Sequence, residues 1–384
     1  MRLAVLSALL VAAFALVPAP LGQPADPVTD PADAGPNHRF VQWVQNLVDS
    51  LGQPISVTNS YVELGLGMNY WDTESRQWLP SVPEFEQTDD GYFVVRRTQH
   101  QVIVSPDLAV ERAVDILTPD GVRLQSTPRG VALVDPDSGK SVMLGECASG
   151  EPEWVAPGEV IFREAFDGLA GSIRYRLTST SIEQDVLLEE QIAPELVARL
   201  GLNPLRTRVV ILTEFFDTAP TADLRTPDGE RRLVFGAMQV GSGQVFRLDS
   251  DEAMATAPVK PSWELLEGRR FLVESVDYIA LRPLMDALPM PSQGRIDALK
   301  SRVRRTASVV PSRLTPRKAD TGGGARVSRA LAGVLTHQLG RAPSDIRPPG
   351  RKPECRLQRP TQPQLGPGLR PPTEHRPKQL SLQG

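Results

Sequence analysis

Three acidic residues, Glu183, Asp185 and Glu189, alternate along one β-like run, Ile182–Glu189. In a strand, alternate residues share a face about 7 Å apart. Glu190 falls on the other face. A fourth acid, Glu214, lies in the strongly apolar run Val209–Phe216, between Thr213 and Phe215. Glycoside hydrolysis needs a pair of carboxylates, one of them with a pKa raised by apolar surroundings. Glu183, Asp185 and Glu214 are therefore the candidate catalytic acids. The same residues have a plainer use, with Glu183 and Asp185 lining a solvated sheet face and Glu214 ion-paired with Arg174 or Arg176. Structural ion pairs outnumber tuned catalytic acids, so the plainer use is favoured.

Trp71 and Trp78 bracket a short polar loop and are the candidate ligand-binding aromatics. Two indoles across a turn either stack on a sugar ring or pack on each other to close a hairpin, and the second is favoured. A Ser-His-Asp or Cys-His system in the body of the chain would have to use His100. That residue sits in the polar stretch Arg96–Gln101, which reads as a turn or strand edge. Asp135-Pro136-Asp137-Ser138-Gly139 opens like a calcium loop, but the third acid and the distant bidentate Glu are missing, so a hairpin turn accounts for it. No nucleophile elbow, zinc spacing or phosphate loop occurs, and Gly65-Leu66-Gly67 is a lone G-x-G. No metal and no cofactor is expected.

These residues must be positioned by strands. From Ile55 to about Pro283, short β-rich runs alternate with turn clusters, the pattern of an all-β antiparallel sandwich. The runs include Tyr61–Met68, Val114–Leu117, Val122–Gln125, Val131–Val134, Ser172–Leu177, Thr207–Phe216 and Arg269–Val276. In Ser172–Leu177, Ile173, Tyr175 and Leu177 point one way and Ser172, Arg174 and Arg176 the other, as in a half-buried strand. Thr-Pro-Asp-Gly turns recur at 118–121 and 226–229, with proline fixing φ and glycine free to take positive φ. Before the strands, Phe40, Trp43, Val44, Leu47, Val48 and Leu51 fall at helical spacing, and Gly52 stops the run. That predicts an amphipathic helix over 37–52. Helical segments are also expected at Gln191–Asn203 and Gln293–Arg305.

The 384 residues carry a net charge of -4, which hides two unlike parts. Residues 301–384 hold 17 of the 42 Lys and Arg but 4 of the 46 Asp and Glu, a net of +13 against -17 for the rest. All aromatic residues lie at or before Tyr278, whereas the last 84 residues hold 12 of the 36 prolines. Such a segment has too little apolar surface to offset its ordering entropy and is expected to be disordered beyond about 311. Either it is a solvated basic tail that contacts anionic surfaces, or it is an out-of-frame translation of GC-rich DNA. Specific nucleic-acid binding is not expected, because no aromatics interleave the basic residues. At the other end, Arg2 precedes an apolar run from Leu3 to Val17, followed by Pro18, Ala19 and Pro20. This predicts a signal peptide over 1–25, with a linker over 26–36 and a secreted, periplasmic or cell-surface location. Two distant cysteines make no disulfide framework.

Several phrases together resemble the N-terminal β-rich regions of long secreted bacterial surface proteins that lead into RHS/YD repeats. They are Gly67-Met68-Asn69-Tyr70-Trp71 with Trp78, Leu117-Thr118-Pro119-Asp120-Gly121, Val160-Ile161-Phe162 through Ala165-Phe166-Asp167-Gly168 into Arg174-Tyr175, Glu183-Gln184-Asp185-Val186-Leu187, and Thr213-Glu214-Phe215-Phe216. The resemblance runs from about Tyr61 to Pro289 and contains no YD repeat. It implies sandwich modules without assigned chemistry, so no catalytic residue follows from it.

The expectation is a signal peptide, a linker, a helix, sandwich domains over 53–150 and 151–292 (or one extended double sandwich), a helical edge over 293–310 and a tail over 311–384. The expected role is a non-catalytic exported surface, adhesion or assembly module, acting on a cell-surface glycan or another surface protein. The alternative is a carbohydrate-active enzyme or carbohydrate-binding sandwich using the acids on the sheet face.

Overall fold

A computed structural model describes residues 28–29, 33–248, 256–300 and 303–304. The expected signal peptide and the expected tail lie outside the described residues, apart from the linker's Val28–Thr29 and 33–36. The described part is all-β and antiparallel, with three short helices. None of these helices is long and apolar enough to cross a membrane.

The main sheet has twelve strands, and the longest of them, Arg123–Asp135, is its branch point. One side of this strand pairs with Arg208–Phe216. Its other side pairs first with Val114–Leu117 and then, from Gly130 onward, with Lys140–Cys147. The change of neighbour coincides with a bulge between Pro128 and Gly130. Gly130 has φ 142°, and a Cβ there would lie 2.2 Å from the Gly145 carbonyl oxygen. Only glycine lets the two backbones approach so closely. The expected runs Val122–Gln125 and Val131–Val134 are thus two halves of one strand.

Two smaller sheets cover one face of the main sheet. The first joins Glu151–Ala156, Glu159–Arg163, Gly171–Leu177 and Ile182–Leu188. Its Val160, Phe162, Ile173 and Tyr175 share a core with Val131, Leu133 and Val209 of the main sheet. The two layers are bridged by polar contacts in which the Tyr175 hydroxyl donates to Gln184 (2.9 Å) and Gln184 donates to Thr213 (3.2 Å). The second joins Ala222–Arg225, Arg231–Phe235 and Met238–Val240, and its Leu233 and Phe235 pack on Leu124, Leu272, Phe215 and Trp263. This is the extended form of the double sandwich.

One apolar core runs from Phe85 to Leu299, so the boundary expected near residue 150 does not separate two cores. The Arg123–Asp135 strand needs Arg208–Phe216 as its neighbour, and turns alone do not report that pairing. Pro194–Arg199 and Gln293–Lys300 are helical, within the ranges expected. A helix at Tyr278–Met285 was not expected, because Pro283 sits inside it. The strand Ala257–Leu266 was hidden by Pro258 and Pro261; among the described residues its outer side has no partner strand beyond Val259, where Pro261 costs no ladder bond.

The helix expected over 37–52 is instead a strand, His38–Val48, paired along eleven positions with Pro54–Leu64. Its apolar residues fit a period of 3.6 and, as Val41, Trp43 and Leu47, also a period of 2. A long partner strand and a tight turn favour the second reading. The turn is closed by the Asp49 carboxylate, which accepts from the Leu51 and Gln53 amides (both 2.8 Å), and by Gly52 at φ 77°. An isolated helix of this length has little intrinsic stability to set against that.

Candidate functional site

The expected acids are all near neighbours of arginines. Glu214 is clasped by two of them. Arg129 donates through Nε (2.7 Å), and Arg269 binds both carboxylate oxygens, its Nε at 2.5 Å. Arg129 is the extra residue of the bulge, and the bulge aims it at this face. Arg269 also lies over the Phe271 ring at 5.3 Å. The partners differ from the expected Arg174 and Arg176. Both Glu214 carboxylate oxygens are thus engaged by guanidiniums.

Arg174 and Arg176 instead build a charge ladder on the four-stranded sheet. Cross-strand register sets Arg174 opposite Asp185 and Arg176 opposite Glu183. The corresponding ion pairs measure 2.7 and 2.6 Å. Arg176 also reaches Asp185 (3.4 Å), and Arg174 reaches Glu159 (3.7 Å). Glu183 and Asp185 are buried, so the solvated face expected for them is corrected to a screened one. Desolvation raises the Glu183 pKa against the pull of Arg176. Glu189 leaves the ladder and accepts from the Ser172 hydroxyl (2.5 Å). Glu183 and Asp185 are held beside one another, while Glu214 lies on the main sheet's other face.

Trp71 and Trp78 face each other across the hairpin Asn69–Asp72/Gln77–Pro80. Their rings meet edge to face with centroids 5.4 Å apart, which presents no pair of parallel faces to a sugar. His100, expected at an edge, is 1% exposed. Burial lowers its pKa to about 4, against a hydrogen bond with the Ser181 backbone. Cys147 has its thiol pushed up to about 12 by burial. Asp135 accepts from the Asp137 (3.1 Å) and Ser138 (3.3 Å) amides and so closes its hairpin turn. Asp137 pairs with Arg206. Among the described residues no group of three His, Cys, Asp or Glu could hold a metal ion.

The surface that stands apart is the hairpin of His38–Val48 and Pro54–Leu64. Its base is tied to the body by Asn69, which donates to the Gly35 (2.7 Å) and His38 (3.0 Å) carbonyls, and by Gln99, which donates to the Pro36 carbonyl (2.6 Å). Beyond the base, alternation puts Val41, Trp43, Leu47, Ile55, Val57 and Tyr61 on one face. Trp43 and Tyr61 meet edge to face at 5.9 Å. Ile55, Val57 and Tyr61 are exposed, and so are Val44, Val48, Val62 and Leu64 on the other face. Val28–Thr29 pairs with the outer side of His38–Val48, but the outer edge of Pro54–Leu64 carries no strand among the described residues. This arm was missed in the sequence because its first strand reads as a helix. The unbroken polar–apolar alternation of Pro54–Leu64 was the available signal.

No protein-family model, curated protein or solved structure matches the chain.

Proposed function

We propose that this chain is a non-catalytic, exported assembly module that associates with a second copy of itself through the hairpin arm. The observation that carries this is the open edge of Pro54–Leu64, eleven residues long and holding Glu63 as its one charged residue. Edge strands are normally guarded by lysine, proline or a bulge, since their free amides and carbonyls recruit another strand. Here the guard is limited to Pro54 at the end of the strand. A two-stranded hairpin in water is also marginal by itself, which argues that this one is stabilised by a partner.

A second copy suits the arm for two reasons. Pro54–Leu64 is the longer open edge of the arm, since Val28–Thr29 covers the other strand only at Val41 and Gln42, and antiparallel pairing of two Pro54–Leu64 strands closes a twofold assembly. The tip strands are nearly uncharged, and an uncharged apolar face complements its own copy better than a charged partner. Export rests on the apolar run Leu3–Val17. The resemblance to N-terminal regions of bacterial surface proteins agrees with a module that acts by contact. The absence of catalysis is supported by the ion pairs that engage Glu183 and Glu214.

Sedimentation velocity on the full chain tests the proposal. Dimer is expected at micromolar concentration, and Ile55→Lys with Val57→Lys is expected to weaken it at least tenfold without changing the far-ultraviolet circular dichroism of the body. A wild-type chain that stays monomeric at hundreds of micromolar would overturn the reading.

A further inference from the structure

A cavity of about 410 Å³ lies between the main sheet, the edge strand Ile182–Leu188 of the four-stranded sheet and the helix Tyr278–Met285. Its walls are mainly aliphatic, with Ile211 and Val276 from the main sheet, Val186 and Leu188 from the edge strand, and Leu284 from the helix. Glu274 enters this apolar space from the main sheet and is 8% exposed. Among the described residues no hydrogen bond or ion pair holds it. Desolvation, and then the charge of Asp185, push its pKa up to about 7.

Asp185 lines the same cavity from the opposite layer. Its Oδ2 is taken by Arg174 and Arg176, but its Oδ1 is buried with no partner. Buried acceptors without donors are rare and costly. The neighbouring guanidinium of Arg174 is already engaged by Asp185 and Glu159. Arg247 also lines the cavity and has a partner of its own. The helix contributes Leu281, Leu284 and Met285, none of them titratable. Among the described residues, the space therefore lacks one compact group with several N–H donors and a positive charge.

We propose that the cavity binds an amphipathic primary amine, its ammonium group between Glu274 and the free Asp185 oxygen and its hydrocarbon body along the aliphatic walls. An ammonium offers three donors and one charge. It removes the repulsion between the two acids and leaves the walls in apolar contact. A fatty acid would add a third carboxylate to the pair. A sugar would strand its hydroxyls against leucine and valine. The site shares no residue with the arm, so either proposal stands or falls without the other.

Calorimetric titration of the full chain at pH 8 with n-octylammonium, 1-octanol and octanoate tests this. The amine is expected to bind at least tenfold more tightly than the alcohol, and octanoate not at all. Glu274→Gln is expected to abolish that tenfold preference while leaving alcohol binding in place. Leu284→Trp fills the cavity and is expected to stop both ligands in a protein that retains its thermal transition. Equal affinity for amine and alcohol, a preference that survives Glu274→Gln, or binding that survives Leu284→Trp overturns the proposal. So does failure of the folded wild type to bind either ligand.

Discussion

Glu214 and Glu274 sit on adjacent strands of one sheet, but on opposite faces, with Glu214 opposite Phe271 and Glu274 opposite Ile211. Glu214 is met by two guanidiniums. Among the described residues Glu274 is met by none, and the difference has a consequence for stability. Its pKa is about 7 in the fold against an ordinary value of 4.5, so the folded state favours the protonated acid. That stabilisation is fully present below about pH 4.5 and is lost as pH rises through 7. The size is about 3 kcal/mol, at about 1.4 kcal/mol for each unit of difference. Asp135 works the other way. Burial pushes its pKa up, but hydrogen bonds from Ser138, Asn203 and Asp137 outweigh this and hold it below the usual value. Its contribution is present above about pH 4 and falls away in acid. Between pH 8 and pH 5 His100 opposes the gain from Glu274, because its buried neutral ring, with a pKa of about 4, loses stability as the unfolded imidazole protonates near 6.5. Urea denaturation of the unliganded wild type is therefore expected to change little between pH 5 and pH 8. Glu274→Gln, left with the His100 cost alone, is expected to be about 2 kcal/mol less stable at pH 5 than at pH 8; a variant whose pH profile parallels the wild type's would contradict the account.

Among the elements, the bulge at Pro128–Gly130 does two jobs. It passes one edge of Arg123–Asp135 from one neighbour to another, and it turns Arg129 toward Glu214. Gly130→Ala forces a Cβ against the Gly145 carbonyl and is expected to cost more than about 3 kcal/mol. Gly139→Ala serves as the control. Gly139 also has positive φ, 63°, but its Cβ would meet nothing within 4 Å, so a cost of about 1 kcal/mol is expected. Comparable melting temperatures for the two variants would rule out the close approach as the cause.

Strand and turn signals were the most legible part of the sequence. Val114–Leu117 has the bounds expected of it. The two Thr-Pro-Asp-Gly turns close alike, with Gly121 at φ 87° and Gly229 at φ 86°. Two kinds of information were not legible. Where an apolar spacing satisfies two periods, as from Phe40 to Val48, only the partner strand decides. Ion-pair partners depend on register between strands distant in sequence, so Glu214 found Arg129 and Arg269 instead of Arg174 or Arg176. Glu274 escaped notice for the same reason, since nothing local distinguishes it from a solvated strand residue.

At the scale of the whole molecule, the shared core predicts how the body unfolds. Val131 and Leu133 lie before residue 150, but they are covered by Val160, Phe162, Ile173 and Val209, which lie after it. A fragment of residues 53–150 would leave that face bare and is expected to be unfolded by circular dichroism. The full chain should show one calorimetric transition for the body. Two well-separated transitions, or a folded fragment, would mean that the two halves are independent after all.

The branched strand also sets a schedule. During synthesis Arg123–Asp135 leaves the ribosome about 85 residues ahead of Arg208–Phe216, the neighbour that runs along most of its length. At roughly 5–20 residues per second, its inner face waits on the order of 4 to 17 seconds for that neighbour. Local hairpins such as Lys140–Cys147 against Gly130–Asp135 can form in the interval, but the sheet cannot close. The nascent chain thus exposes a long apolar strand for seconds, and its yield in a cell should depend on what shields that strand before the second half arrives.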